Sequence, residues 1–220
     1  GKEDDLVSSN LFIGHSINSI YGYKIDGIWQ LNDDIPTGYH PGNYRVVDTD
    51  KNGEITVDDR VILGKTDPAY RFGILNNLRY KNFTLSFFIN SVQGGKDGYL
   101  SANSETVTRS NGNNLRWNRP SELAADYWSP NNPDATYSRS IQGAAISPTR
   151  YMDRSFIRLQ DVSLGYTLPE AWSKKIGLEK VNFFFSGKNL ITITKWKGWD
   201  PEANQGYYGR PVLKSLSFGL

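Results

Sequence analysis

Apolar and polar residues alternate along several stretches of this chain. From Asn82 to Gln93, Phe83, Leu85, Phe87 and Ile89 take one face of an extended segment, while Asn82, Thr84, Ser86 and Asn90 take the other. Successive strand side chains point to opposite faces, so this period of two predicts a β-strand with one apolar face. Phe88 and Val92 interrupt its polar face. Phe72, Ile74, Leu78 and Tyr80 repeat the pattern with Asn76 as the exception, and only Lys81-Asn82 separates the two runs, as in a tight hairpin. Val162, Leu164, Tyr166 and Leu168 alternate likewise, as do Val181, Phe183 and Phe185, and finally Leu216, Phe218 and Leu220. The Pro-Glu-Ala-Trp-Ser-Lys-Lys string from Pro169 predicts a short helix with proline at its first position. Apolar residues are odd-numbered at Ile157 and Leu159 but even-numbered from Val162. A β-bulge around Gln160-Asp161 would return them to one face.

The connections divide the chain. A strand plus a loop occupies 1–69, a hairpin 70–93, a long loop 94–153, a second hairpin 154–191, a loop 192–210 and a last strand 211–220. The links after Tyr80 and Leu168 are short, whereas 94–153 and 192–210 are long and rich in Gly, Asn, Pro and aromatic residues. A sixty-residue loop is out of place in a compact soluble domain. Short turns at one end and long loops at the other are the pattern of an outer-membrane β-barrel. A soluble β-sandwich, with one face packed and one in water, also alternates in this way.

Composition narrows the choice. No apolar run approaches the roughly 18 residues of a membrane helix, and that leaves strands as a way to cross. Lys+Arg 25 against Asp+Glu 23 gives +2, too balanced to point to nucleic acid. The absence of cysteine excludes disulfide scaffolds, cysteine nucleophiles and thiolate metal sites. The polar start, Gly1-Lys2-Glu3-Asp4-Asp5, has no signal-peptide core, so the expectation is either that export is not involved or that the chain begins downstream of any signal.

The sharpest chemical motif runs from Asp48 to Asp59 and fits D-x-D-x-N-G-x-I-x-x-x-D, an EF-hand-type calcium loop ending in Asp rather than Glu. Oxygens of Asp48, Asp50 and Asn52 would converge on one point, Gly53 would make the sharp turn, Glu54 would offer its carbonyl and Asp59 would close the site. No helix-forming stretch precedes Asp48, so a helix–loop–helix unit is not expected, and the shorter Asp59 predicts modest affinity. A plain Asp/Asn/Gly turn is the alternative. Calcium is the one cofactor these residues suggest, and none is required.

Loop aromatics form a second group, with Trp117, Trp128, Trp196, Trp199 and Tyr207 as candidate ligand contacts. Exposed rings stack on sugar faces; packing within the loops or an interfacial girdle explains them equally well. Catalytic constellations are missing. His15 and His40 lack motif partners, and the adjacent pairs Asp4-Asp5, Asp33-Asp34 and Asp58-Asp59 would point to opposite faces of a strand. The expectation is a protein that is not an enzyme.

Several strings, in order, resemble the C-terminal part of SusC/RagA-type TonB-linked outer-membrane transporters. They are Tyr21-Gly-Tyr-Lys-Ile-Asp-Gly-Ile-Trp-Gln30, Pro41-Gly-Asn-Tyr-Arg-Val-Val-Asp48, Asp59-Arg-Val-Ile-Leu-Gly64 with Pro68-Ala-Tyr-Arg-Phe-Gly73, and Tyr80-Lys-Asn-Phe-Thr-Leu-Ser86. Trp128-Ser-Pro-Asn-Asn-Pro133, Ser155-Phe-Ile-Arg-Leu159, Leu164-Gly-Tyr-Thr-Leu-Pro169 and Gly187-Lys-Asn-Leu-Ile-Thr-Ile-Thr-Lys195 with Gly198-Trp-Asp-Pro-Glu202 follow. The resemblance implies an all-β fold of antiparallel strands from a transmembrane barrel, with long extracellular loops and short periplasmic turns. It further implies import of oligosaccharides or peptides across the bacterial outer membrane. A SusD-like surface lipoprotein and the TonB complex would be partners, the latter through an N-terminal region these residues lack. Outer-membrane lipid would surround the strands. A soluble, secreted calcium- and glycan-binding β-module is the competing reading.

Overall fold

The computed structural model describes residues 4–98, 126–138, 143–198, 200–202 and 212–220. It contains two compact units, 1–67 with 96–152 and 68–95 with 153–220.

In the first unit, β1 (Ser19–Tyr23), β2 (Ile25–Ile28), β3 (Tyr44–Val46) and β4 (Arg60–Lys65) are short. They form two antiparallel pairs, β1 with β4 and β2 with β3. Ile20, Tyr44, Val46, Trp128 and Tyr137 are buried and supply this unit's core. The acidic loop connects β3 to β4 and ends in a single 3-10 turn, Val57–Asp59.

The second unit is built on long strands. They are β5 (Pro68–Tyr80) and β6 (Phe83–Gly94), then, beyond the short β7 (Lys96–Asp97) and β8 (Met152–Asp153), β9 (Phe156–Thr167), β10 (Asn182–Thr194) and β11 (Ser215–Gly219). They form one antiparallel sheet in the order β11-β10-β9-β6-β5. Lys81-Asn82 is the whole β5–β6 connection, with Lys81 in the left-handed region at φ 49°. The β9–β10 connection holds the short helix α1 (Glu170–Ser173), which follows Pro169 directly, and a 3-10 turn over Lys174–Ile176. Proline thus sits one position ahead of the place expected for it. Strand β10 runs on to Thr194, past the expected hairpin limit, because Ile191, Ile193 and Thr194 pair with Leu159, Ile157 and Phe156.

Register makes this sheet two-faced. Leu78, Leu85, Leu164, Phe185 and Phe218 are successive cross-strand partners and form one apolar row across all five strands. Ile74, Ile89, Leu159 and Ile191 form another. Tyr80, Phe83, Tyr166 and Phe183 form an aromatic row at the short-turn end, where the Phe83 and Tyr166 rings lie 4.5 Å apart. Ser86, Ser163, Ser186 and Ser217, also mutual partners, lie on the opposite face. The apolar face stays open: Tyr80 is 70% and Phe218 78% exposed.

The bulge expected near Gln160-Asp161 is present. Asp161 pairs with Phe88 and Leu159 with Ile89, which leaves Gln160 as the extra residue against β6. On β10, Asn189-Leu190 lie between the partners of Asp161 and Leu159, and Asn189 turns into the left-handed region at φ 52°. These insertions keep Val162 and Leu159 on one face.

Three aromatic side chains stand on the polar face: Phe156 is buried under the Arg158 guanidinium, while Phe88 and Phe184 each cover a glycine. A Cβ on Gly73 would lie 2.8 Å from the Phe88 ring, and one on Gly219 would lie 2.4 Å from the Phe184 ring. A ring laid over a strand glycine replaces packing that glycine cannot supply. Phe88 therefore marks a local pairing with Gly73, beside its direct cross-strand partner Leu75.

Candidate functional site

The acidic loop owes its shape to its own carboxylates. Asp48 accepts hydrogen bonds from the backbone N–H of Lys51 (2.6 Å) and Gly53 (2.8 Å), and Asp50 from that of Asn52 (3.0 Å). Lys51 at φ 61° and Gly53 at φ 90° make the reversal these bonds require. Asp59 is fully buried and accepts from the N–H groups of Thr49 (2.6 Å) and Thr56 (2.8 Å). Its bond to Thr56 is half of a capping box, since the Thr56 hydroxyl accepts in turn from the following turn (Asp58 N–H, 3.2 Å). The Thr56 N–H is the main influence that holds the Asp59 carboxyl below its ordinary pKa, against the opposing effect of burial.

One oxygen each of Asp48, Asp50 and Asp59 lies within 4.8 Å of the other two. Two ligands on opposite sides of a calcium ion, at about 2.4 Å each, would be separated by about 4.8 Å, so the spacing suits that ion. Asn52 belongs to the same turn. Its side-chain oxygen accepts from the Glu54 N–H at 2.7 Å, and its amide donates to Asp50 at 2.9 Å. The Glu54 carboxylate lies outside the three-carboxylate group. A β-strand leads into the loop and a 3-10 turn ends it, so the unit is not helix–loop–helix.

The aromatic candidates divide differently. Trp117, Trp199 and Tyr207 lie outside the described residues. Trp128 is 2% and Trp196 5% exposed, so neither offers the open ring face expected for stacking on a sugar. In the first unit, the Trp128 indole donates to Gln30 Oε1 at 2.9 Å and its backbone N–H to Tyr137 at 2.8 Å. In the second, the Trp196 backbone N–H donates to the Thr194 hydroxyl at 3.0 Å. Both indoles are buried among the described residues.

A group that sequence reasoning missed lies on β9. Arg158 is 1% exposed and donates two hydrogen bonds from Nη2 to Asp200 (2.8 and 2.9 Å), one from Nη1 to Glu202 (3.0 Å) and one from Nε to Thr192 (3.1 Å). Arg154 donates to the Pro201 carbonyl at 2.8 Å. The fork geometry of guanidinium suits such chelation of a carboxylate. Arg158 on β9 and Arg154, just ahead of that strand, thus hold Asp200-Pro201-Glu202 against the sheet. The only sequence signal was a lone Arg among strand residues and an Asp-Pro-Glu string about forty residues later.

Among the described residues no helix is long and apolar enough to cross a membrane. No protein-family model matches the chain. It is 35% identical over 199 residues to TonB-dependent receptor P3 of Formosa agariphila, across 87% of this chain and 19% of that receptor. It is 27% identical over 218 residues to TonB-dependent receptor SusC of Bacteroides thetaiotaomicron, across 94% of this chain and 19% of SusC. Its fold is similar to that of the RagAB peptide importer in the closed-closed state, with a TM-score of 0.56 and 21% identity over 91% of this chain and 22% of that one. The chain spans about one fifth of the length of the curated relatives it matches. Strand order, two-faced sheet and these likenesses agree: the chain belongs to the SusC/RagA-type TonB-dependent receptors, of which it is an all-β barrel portion.

Proposed function

We propose that this chain is part of the wall and loops of an outer-membrane nutrient transporter, importing oligosaccharides or peptides together with a SusD-like surface lipoprotein. The observation that carries the reading is the sheet with one open apolar face and one polar face. From Tyr70 to Tyr80 the strand advances about ten residues, roughly 34 Å at ~3.4 Å each, or roughly 26 Å across a bilayer at a ~40° tilt. That matches the apolar band of ~25 Å on membrane barrels. The aromatic row through Tyr80, Phe83, Tyr166 and Phe183 then marks the interface at the short-turn, periplasmic end, and the Ser86–Ser163–Ser186 row faces the aqueous interior. The first unit, with its loops, is extracellular, and TonB acts through a part of the protein outside these residues. The receptors it resembles bear no enzyme names, which supports a role in transport.

The test is uptake of fluorescent oligosaccharides and fluorescent peptides by cells with and without the whole gene, before and after the proton-motive force is collapsed. Uptake of either class that needs both gene and proton-motive force supports the reading. Uptake unchanged by deletion for both classes contradicts it.

We also propose calcium at Asp48, Asp50 and Asp59, with Asn52 and the Glu54 carbonyl completing the shell. Three carboxylates this close repel one another, and a divalent cation would neutralise them. Calcium should raise the melting temperature of the whole protein, chelator should lower it again, and Asp50→Ala should abolish the shift. An Asp50→Ala protein that still responds to calcium contradicts the assignment.

A further inference from the structure

The first unit holds a cavity of about 580 Å³ whose use nothing above explains. Strand β4 supplies its apolar wall, and Tyr23, Lys24, Lys96, Thr149, Arg150 and Tyr151 supply its polar lining. Three of these side chains are cationic, and no carboxylate is in the lining among the described residues. Lys96 is half-buried, and its Nζ is fixed by a 2.6 Å hydrogen bond to the Leu63 carbonyl, which leaves two donors on the ammonium. Arg150 is also half-buried, and its charge is felt by the buried Tyr44 phenol. Burial, the larger effect, pushes the Tyr44 pKa up, while Arg150 works in the opposite sense. Cations gathered around a partly desolvated space repel one another, and an anion placed among them removes that penalty. Volumes of roughly 300–1,000 Å³ are those of small-molecule sites, so the space admits a short oligomer and not merely an inorganic ion.

We propose that this cavity binds a carboxylate-bearing unit of the imported solute. Arg150 would take the carboxylate through its planar fork, with Lys24 and Lys96 as flanking charges. Thr149 and the two tyrosines would hydrogen-bond neighbouring polar groups, and the β4 wall would receive an apolar face. Neutral sugars lack the group that satisfies the lining. The carboxylate could belong to a uronic acid sugar or to an acidic peptide, since both chemistries present the same group. This inference rests on the import reading above and narrows its substrate class.

The experiment is calorimetric titration of the whole detergent-solubilised transporter with trigalacturonate, the neutral trisaccharide maltotriose, and the tripeptide Glu-Gly-Glu. At least one carboxylated probe should bind at least tenfold more tightly than maltotriose, and binding should weaken as salt rises. Binding of trigalacturonate alone assigns a uronate site, binding of Glu-Gly-Glu alone an acidic-peptide site, and binding of both a site that reads the carboxylate itself. Arg150→Gln and Lys96→Gln should each lose at least tenfold. Lys24→Gln, at an exposed position, should lose several-fold with an unchanged melting temperature, which guards against misfolding of the other two. Equal affinity for all three probes, no binding of either acid, or full affinity in folded Arg150→Gln and Lys24→Gln overturns the proposal. Uptake that persists in cells while these titrations fail would overturn the site and leave the import reading intact.

Discussion

The two units solve the burial problem in opposite ways. The first has short strands and folds its large side chains inward: Tyr44, Trp128 and Tyr137 are all buried, and the Trp128 indole donates to Gln30. The second has strands of up to 13 residues and leaves Leu78, Phe183, Ile193 and Phe218 open along one face. An exposed apolar face of that extent is a liability in water and an asset in lipid. The contrast teaches that strand length and alternation alone do not say which solvent a β-protein was built for. The fate of its apolar face does.

The largest expected effect tests where the sheet unit is held by charge. Arg158→Ala strands the buried Asp200 carboxylate and should destabilise the second unit by about 3–5 kcal/mol, with Arg158→Lys intermediate because it keeps charge but loses the fork. Urea unfolding in lipid vesicles measures this. A loss below about 1 kcal/mol would show that the Asp200–Glu202 segment is held by other contacts.

Next comes a paired substitution in the middle of the sheet. Val162→Lys puts a charge on the apolar face and should cost about 2–4 kcal/mol in a bilayer. Ser163→Lys, one residue further on the polar face, should stay within about 0.5 kcal/mol. Equal costs would erase the distinction between the faces.

In the first unit the effects are smaller and local. Trp128→Phe keeps most of the ring but deletes the N–H that Gln30 accepts, at about 1 kcal/mol. The change should appear in the melting of the first unit and leave the sheet unaffected. Asp59 gives a pH dependence. Its carboxyl is held below the usual value by the Thr56 N–H, so its contribution is complete above the ordinary carboxylate pKa. It fades as pH falls through the lowered value in the folded protein. Asp59→Asn should flatten the acid limb of a stability–pH curve, and an unchanged limb would contradict the assignment.

These differences also decide what could be read in advance. In the sheet, each strand writes its own pattern. The row Leu78, Leu85, Leu164, Phe185, Phe218 follows from alternation, Lys81-Asn82 from the gap between runs, and the extra residue at Gln160 from a parity change. Phe88 looked like a flaw until the facing Gly73 was known, because that relation crosses strands. The loops carry no period. Nothing local distinguishes a buried Trp128 or Trp196 from an exposed one, and burial depends on partners such as Gln30, far along the chain. Asp48, Asp50 and Asp59 were legible because one turn brings them together. The hydrogen bonds that bury Asp59 in its cap were not. Arg158 with Asp200, and the lining shared by Lys24, Lys96 and Arg150, are products of tertiary folding between distant segments.

The most direct test of the central claim uses residues 162 and 163, neighbours in sequence that the sheet sends to opposite sides. These 220 residues contain no cysteine, and with any cysteine elsewhere in the whole protein replaced by serine, Val162→Cys and Ser163→Cys can each carry a solvent-sensitive fluorophore in lipid vesicles. The account predicts quenching of the position-162 probe by nitroxide-labelled lipid and not by iodide, and the reverse for position 163. Quenching of both probes by iodide alone would mean that water bathes both faces and that the sheet is not part of a membrane wall.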